Sequence, residues 1–451
     1  MSNHQGNRAA AGRKGASRRD FLRLGTLGVA GLTLSSGLRL HAGEEPKKAK
    51  AKSVIELWMA GGPPQTDTFD PKPEAGEDYC GPWKNPVQTN VPGIRIGEML
   101  PLLAKQADKY SIIRSFTHSN DGHETAAYIV LTGTLPTPEV SYPAMGAVVG
   151  MKKSESEYKG SLPSYIMLTS PLGRFSAEGF LGAKYRPFVT GGDPNQKEFR
   201  VAGLMLAKGA EKRLEERRAL LESVDAMAKD KDKELLLDSA ESYKDKAYSL
   251  ILGDSKKAFD LSEEKDDLRD RYGRNQFGQS CLAARRLVEN GVPFVTINYG
   301  YGNWDTHNDN FGLMKKTLPV LDGGFATLLD DLAQRGLLES TIVVWYGEFG
   351  RTPKISNEPP WFGGRHHYGR VFSAVVAGGG FKGGTVVGAS DEKGERVKDR
   401  PVYPWDLTAS MYKLLGIDYT GRLPHPQGCV AYVSPLANGS LQGGGLLTEI
   451  M

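Results

Sequence analysis

Short apolar runs that stop at glycine or polar loops, with helical patterns between them, constrain this chain more than any other feature. Val54-Ile55-Glu56-Leu57-Trp58-Met59-Ala60 halts at Gly61-Gly62-Pro63-Pro64. Runs of the same kind stand at 111–114, 165–168, 293–297, 341–345 and 372–376. Each has the length and β-branched or aromatic content of a buried strand and is followed by loop residues. Helical spacing of apolar residues occupies 123–131, 278–289 and 313–332. Strand and helix alternate, so the expected class is α/β, a mostly parallel sheet with helices on both faces.

The N-terminus reads as a processing segment. Ser17-Arg18-Arg19-Asp20-Phe21-Leu22 precedes a weak apolar run, and Leu40-His41-Ala42 offers a small residue before a cut. That order is the signature of a twin-arginine export signal over 1–42, with a Lys/Ala linker at 43–52. The mature protein is then periplasmic or secreted. No later apolar stretch has the length of a membrane-spanning helix, so no stable transmembrane anchor is expected. The formal charge of +4 is concentrated in the leader and linker, which leaves no footprint for nucleic acid.

One core domain is expected over 53–435, followed by a Gly-rich tail at 436–451. From about 206 to 270 the chain is dense in Lys, Glu, Asp and Arg with leucines at helical spacing, and reads as a charged helical insertion. Charges of both signs are interspersed there, which suits a solvated helical pair better than a partner-binding arm. The three cysteines, Cys80, Cys281 and Cys429, are neither a disulfide framework nor a metal-type pair. Cys281-Leu282-Ala283-Ala284-Arg285 has the outline of a sulfatase maturation site. Its place in the pattern Phe277, Cys281, Ala284, Leu287, Val288 makes it a buried helix cysteine instead.

Chemistry gathers in the loops. Five of the eight histidines fall in three polar clusters after strands or at a helix start. In open α/β sheets the loops beyond the strand C-termini form the ligand crevice, so such clusters can converge. Thr66-Asp67-Thr68-Phe69-Asp70 follows the first strand; either carboxylate suits a metal, and an Asx-type turn before Pro71 accounts for one of them equally well. His118-Ser119-Asn120-Asp121-Gly122-His123-Glu124-Thr125 opens a helix, where peptide dipoles favour an anionic group, and Asp121 has the alternative role of helix cap. Trp304-Asp305-Thr306-His307 places a carboxylate and an imidazole two residues apart in an extended loop. Glu348 lies at the tip of a buried strand, where a carboxylate must bind metal or pair with Arg351 or Arg365, and Arg365-His366-His367 follows. Together Asp67 or Asp70, Asp305, His307, Glu348 and His367 make a carboxylate and imidazole set for one or two divalent cations.

Four motifs in order resemble the domain-of-unknown-function family 1501: the run at 61–73, Trp304-Asp305-Thr306-His307, Gly347-Glu348-Phe349-Gly350-Arg351-Thr352-Pro353 and the run at 378–384. That family is grouped with the alkaline phosphatase and sulfatase superfamily. The resemblance implies a doubly wound α/β domain with Asp67 as first carboxylate, Asp305 and His307 as the Asp and His pair, Glu348 as the acidic residue at a strand end and His367 as the late histidine. This sequence departs from the pattern at three points. Glu348-Phe349 stands where phosphatases have Asp-His, Thr125 bears the only hydroxyl at the helix start, and His366-His367 replaces Asp-His.

The implied activity is metal-dependent hydrolysis of a phosphate or sulfate ester, with zinc, calcium or manganese at Asp67, Asp305, His307, Glu348 and His367. Water or Thr125 would attack, and His123 or His118 would give a proton to the leaving oxygen. The substrate would be a small-molecule or polysaccharide ester. The alternative is a non-catalytic binding or envelope-associated protein on the same scaffold.

Overall fold

The computed structural model describes residues 49–138, 140–172, 177–197, 253–439 and 441–451, with the single positions 199, 201 and 216. The twin-arginine segment and most of the charged insertion lie outside the described residues. No helix among the described residues is long and apolar enough to cross a membrane.

Eight strands form the central sheet: β1 (Ser53–Trp58), β2 (Tyr110–Phe116), β3 (Tyr165–Leu168), β4 (Phe188–Val189), β5 (Phe294–Asn298), β6 (Thr341–Tyr346), β9 (Phe372–Ala377) and β10 (Thr385–Val387). Two-residue strands β7 (Gly350–Arg351) and β8 (His367–Tyr368) pair with each other outside it. The sheet order is β10-β2-β9-β6-β1-β5-β3-β4. All neighbours run parallel except β9, which is antiparallel to both β2 and β6. All six expected strands are present, and the sheet is mostly parallel as the alternation required.

The strands alternate their side chains between two cores. Ile55, Leu57, Val295, Ile297, Val343 and Trp345 face α4 (Gln276–Glu289) and α5 (Asn310–Gln334). Val54, Phe294, Ile342 and Val344 face α1 (His123–Thr132), α2 (Met145–Ser156) and α6 (Pro404–Leu414). Helices therefore cover both faces, the doubly wound arrangement. Cys281 lies at zero exposure in α4, where burial pushes its thiol pKa up, so it is a core residue.

Residues near two of the expected boundaries pack into the cores. The described end of the charged segment includes α3 (Asp266–Tyr272), and Ala258, Phe259, Leu261 and Tyr272 are buried in the first core. One of its charges is tied to the domain: Glu264 lies 2.8 Å from the buried Arg285, which also pairs with Asp331 of α5 at 3.0 Å. Leu447 and Ile450, in the segment set apart as a tail, are buried in the second core. Apolar side chains at these positions override the glycine-rich composition around them.

The topology decides where the loops meet. Strands β1, β2, β5 and β6 all end at the same edge of the sheet. Because β9 runs the other way, the residues just before it arrive at that edge too, which brings 366–369 beside loops that follow parallel strands.

Candidate metal centre

Asp305, in the loop after β5, is the focus. Its Oδ2 lies 3.4 Å from His123 Nε2, and its Oδ1 lies 3.2 Å from both His367 Nε2 and His307 Nε2. His123, Asp305 and His367 each offer one ligand atom within 4.8 Å of the others. Bonds of about 2.0–2.1 Å in a tetrahedral site separate neighbouring ligand atoms by about 3.3 Å. The two nitrogen-to-carboxylate distances, each to a different oxygen of Asp305, lie near that edge, and the three ligand atoms fall within 4.8 Å of one another.

The outer nitrogens decide what the inner ones present. His123 donates Nδ1–H to the Glu348 carboxylate at 2.6 Å, and His367 donates Nδ1–H to the carbonyl of Asp121 at 2.8 Å. With Nδ1 protonated, a neutral ring shows a lone pair at Nε2, so two lone pairs face the Asp305 carboxylate. Acceptors facing acceptors require a cation or an added proton between them. His307 Nε2 lies 2.9 Å from His367 Nε2, and His307 Nδ1 lies 3.0 Å from His366 Nδ1. If His307 donates Nδ1–H to His366, its Nε2 joins the set; if Nε2 carries the proton, it donates to His367 instead. The donor set of imidazoles and a carboxylate fits a divalent transition metal, with Glu348 and the Asp121 carbonyl orienting the rings as outer partners commonly do.

Charge around the set is balanced by Arg351. Its guanidinium donates to Asp305 Oδ1 at 2.5 Å, to the Gly62 carbonyl at 3.1 Å and to the Gly61 carbonyl, all in a fully buried position. Burial raises the Asp305 pKa, but the neighbouring His123, His367 and Arg351 outweigh it and hold the carboxyl far below the ordinary range. Burial lowers the His123 pKa, yet Asp305 and Glu348 together raise it to about 9. Burial pushes the pKa values of His307 and His366 down. Gly61, at φ +114°, is required here: its N–H donates to Glu348 at 2.9 Å, and a Cβ would stand 2.9 Å from the Asp305 nitrogen.

The structure gathers only part of the expected ligand set. Asp305, His307 and His367 meet, and His123, expected as a proton donor, lies beside Asp305 and His367 as well. Glu348 stands behind His123, fully buried and capped by the Gly61 N–H, instead of facing the cluster. Asp67 is elsewhere engaged: Arg365 donates to both its oxygens, at 2.8 and 3.0 Å, and Asn310 donates at 2.8 Å. Asp70 pairs with Lys72 at 3.0 Å and Arg114 at 3.4 Å. His118, 5% exposed, donates Nε2–H to the Glu348 carbonyl at 2.6 Å and accepts the Asn120 N–H at Nδ1, and burial lowers its pKa. Both nitrogens are used within the scaffold, so His118 braces the Glu348 backbone. Thr125 lies two residues beyond His123 in α1, about 200° round the helix from it.

Three participants carried no clear sequence signal. Arg351 is read from the sequence as a partner for Glu348, yet it pairs with Asp305. Asp121 does not cap α1; its carboxylate accepts the Gly369 N–H at 2.6 Å while its carbonyl holds His367. His366 stands behind His307, as Glu348 stands behind His123. The adjacency of His366 and His367 is the one available hint, since two neighbouring histidines at a loop seldom both serve packing.

An open α/β sheet with an imidazole and carboxylate centre at its strand ends defines the class. The chain belongs to the family described as Protein of unknown function (DUF1501), whose sequence profile matches residues 51–431. Solved structures similar to it include the lipoteichoic acid synthase LtaP from Listeria monocytogenes, at 10% identity over 87% of this chain and 77% of that one, TM-score 0.39. They also include the PsFucS1 sulfatase from Pseudoalteromonas sp., at 15% identity, 95% and 77% coverage and TM-score 0.37. The alkaline phosphatase from the Antarctic bacterium TAB5 matches at 12% identity, 75% and 94% coverage and TM-score 0.35. No curated protein matches the chain.

Proposed function

We propose that this protein is an exported, metal-dependent hydrolase of phosphate or sulfate esters. The observation that carries the reading is the convergence of His123 Nε2 and His367 Nε2 on the Asp305 carboxylate, with both outer nitrogens already bonded. Imidazole donors favour zinc over calcium, which prefers oxygen ligands. His123, Asp305 and His367 would hold the ion, with His307 as fourth donor. A divalent cation there supplies Lewis acidity, polarising an ester oxygen and lowering the pKa of water.

The chain's own groups do the rest. Glu348 and Asp121 fix the rings of His123 and His367. Arg351 neutralises Asp305 and keeps its carboxylate ionised. The start of α1 at His123 turns a positive dipole end toward an anionic ester group. Export rests on the paired arginines Arg18 and Arg19 ahead of the apolar run.

The test is turnover of aryl phosphates, aryl sulfates and phosphodiesters by the full mature chain with zinc, manganese or calcium, beside Asp305→Ala. Metal-dependent turnover lost in the variant supports the reading. A second reading, a metal-binding protein without turnover, is favoured by the orientation of Thr125, which leaves the attack to water alone. Bound metal with no hydrolysis of any ester class selects it.

A further inference from the structure

Two arginines stand in the segments that carry Glu348 and the paired histidines, and the scaffold occupies both. Arg351 and Arg365 are fully buried. The Arg351 guanidinium donates to Asp305 and to the carbonyls of Gly61, Gly62 and Arg365. The Arg365 guanidinium donates to both Asp67 oxygens and to the carbonyls of Tyr79, Thr352 and Pro353. Neither is placed to clamp the charged group of a substrate.

The remaining charges of the centre then decide what it can hold. Arg351 cancels Asp305, which it meets at 2.5 Å. Glu348, with no solvent exposure and 2.6 Å from His123, cancels one of the two charges that a divalent cation would bring. A single positive charge is left for a ligand. The start of α1 adds only about half a unit. Asp121, two residues before the helix, sets a carboxylate near that same end, where it accepts the Gly369 N–H at 2.6 Å. Among the described residues, one group of His and Asp side chains is spaced for a metal.

A singly charged group closes this balance. A doubly charged one leaves a negative charge over beside the buried Glu348, and unbalanced charge in a partly desolvated site is costly. Phosphoryl dianions are commonly met by a second metal ion or by an arginine clamp. Here both arginines are turned to the scaffold. We infer that the centre takes a singly charged ester, a sulfate ester or a phosphodiester, in preference to a doubly charged phosphate monoester. This inference rests on the ester-binding reading above.

The test is calorimetric binding of non-hydrolysable probes to the zinc-loaded full chain at about pH 8, where phenylphosphonate carries mainly two charges. Its monomethyl ester and benzenesulfonate carry one. Free zinc attracts the doubly charged probe more strongly, so a reversed order comes from the protein. One of the singly charged probes should bind about threefold or more tightly than phenylphosphonate, and which one tells a phosphodiester from a sulfate ester. Asp121→Asn keeps an acceptor for Gly369 and removes a charge. It should raise phenylphosphonate affinity about twofold or more, with zinc content and the affinity of the singly charged probes little changed. Phenylphosphonate bound most tightly by the parent chain, as when an exposed cation such as Lys354 or Arg370 supplies the second charge, overturns the preference and leaves the ester site standing. An unchanged order and spacing of affinities in Asp121→Asn overturns the charge argument in the same way. Failure of every probe to bind zinc-loaded protein overturns the ester site and the preference together.

Discussion

The Glu348 carboxylate accepts the Nδ1–H of His123 at 2.6 Å from a position with no solvent exposure, behind the ring. Its role is to orient and polarise the ring. Glu348→Gln keeps the size and an acceptor but removes the charge, and zinc affinity should fall about 10- to 100-fold. Competition against a chelating dye measures it. A complete loss of zinc with the fold intact would instead mark Glu348 as a direct ligand.

His366 stands in the same relation to His307, with Nδ1 atoms 3.0 Å apart. Replacing it with Leu removes the acceptor and should weaken zinc binding by about tenfold or more, whereas His366→Asn, which retains an acceptor, should recover most of the loss. Equal affinities for both variants would mean that His366 serves packing against Trp361 alone.

Asp67 is bound on both oxygens by the buried Arg365, so its removal should cost stability and spare the metal. Breaking a buried pair on one side costs about 3–5 kcal/mol. Urea denaturation of Asp67→Asn should show a loss of that order, with zinc content per folded chain unchanged. Zinc lost without a change in stability would return Asp67 to the ligand set.

Asp322 on α5 accepts the N–H of Leu103 at 2.7 Å and of Leu102 at 2.9 Å. Burial raises its pKa to about 6, against the lowering effect of those bonds and Lys105. The folded chain therefore holds this proton more tightly than the unfolded chain. The stabilising contribution is full below the ordinary carboxyl range and is lost as pH rises toward 6. Its size is at most on the order of 3 kcal/mol. The stability of the parent chain relative to Asp322→Asn should fall between pH 4 and 6.5; a flat or rising difference contradicts the assignment.

The sheet was legible because buried strands are short apolar runs and the intervening helices keep a 3.6-residue period, as at 278–289 and 313–332. The direction of β9 was not, since periodicity identifies a strand without orienting it. That direction carries His366 and His367 to the edge where β5 and β6 end. The motifs around Asp305 and His367 were visible as unusual polar residues at strand ends. The partnerships were not: His123 and Glu348 are 225 positions apart, and Asp67 and Arg365 are 298 apart. Which carboxylate faces the imidazoles depends on how Gly61 lets two loops cross, and on which arginine reaches which acid. Both are set by packing.

The most direct test of the centre is metal content by elemental mass spectrometry. The full chain is equilibrated with zinc and freed of excess by gel filtration, beside Asp305→Ala. The proposed function predicts about one zinc per chain in the parent and almost none in the variant, with both proteins folded by circular dichroism. A parent chain that retains no metal, or a variant that retains as much as the parent, would contradict a centre built on Asp305.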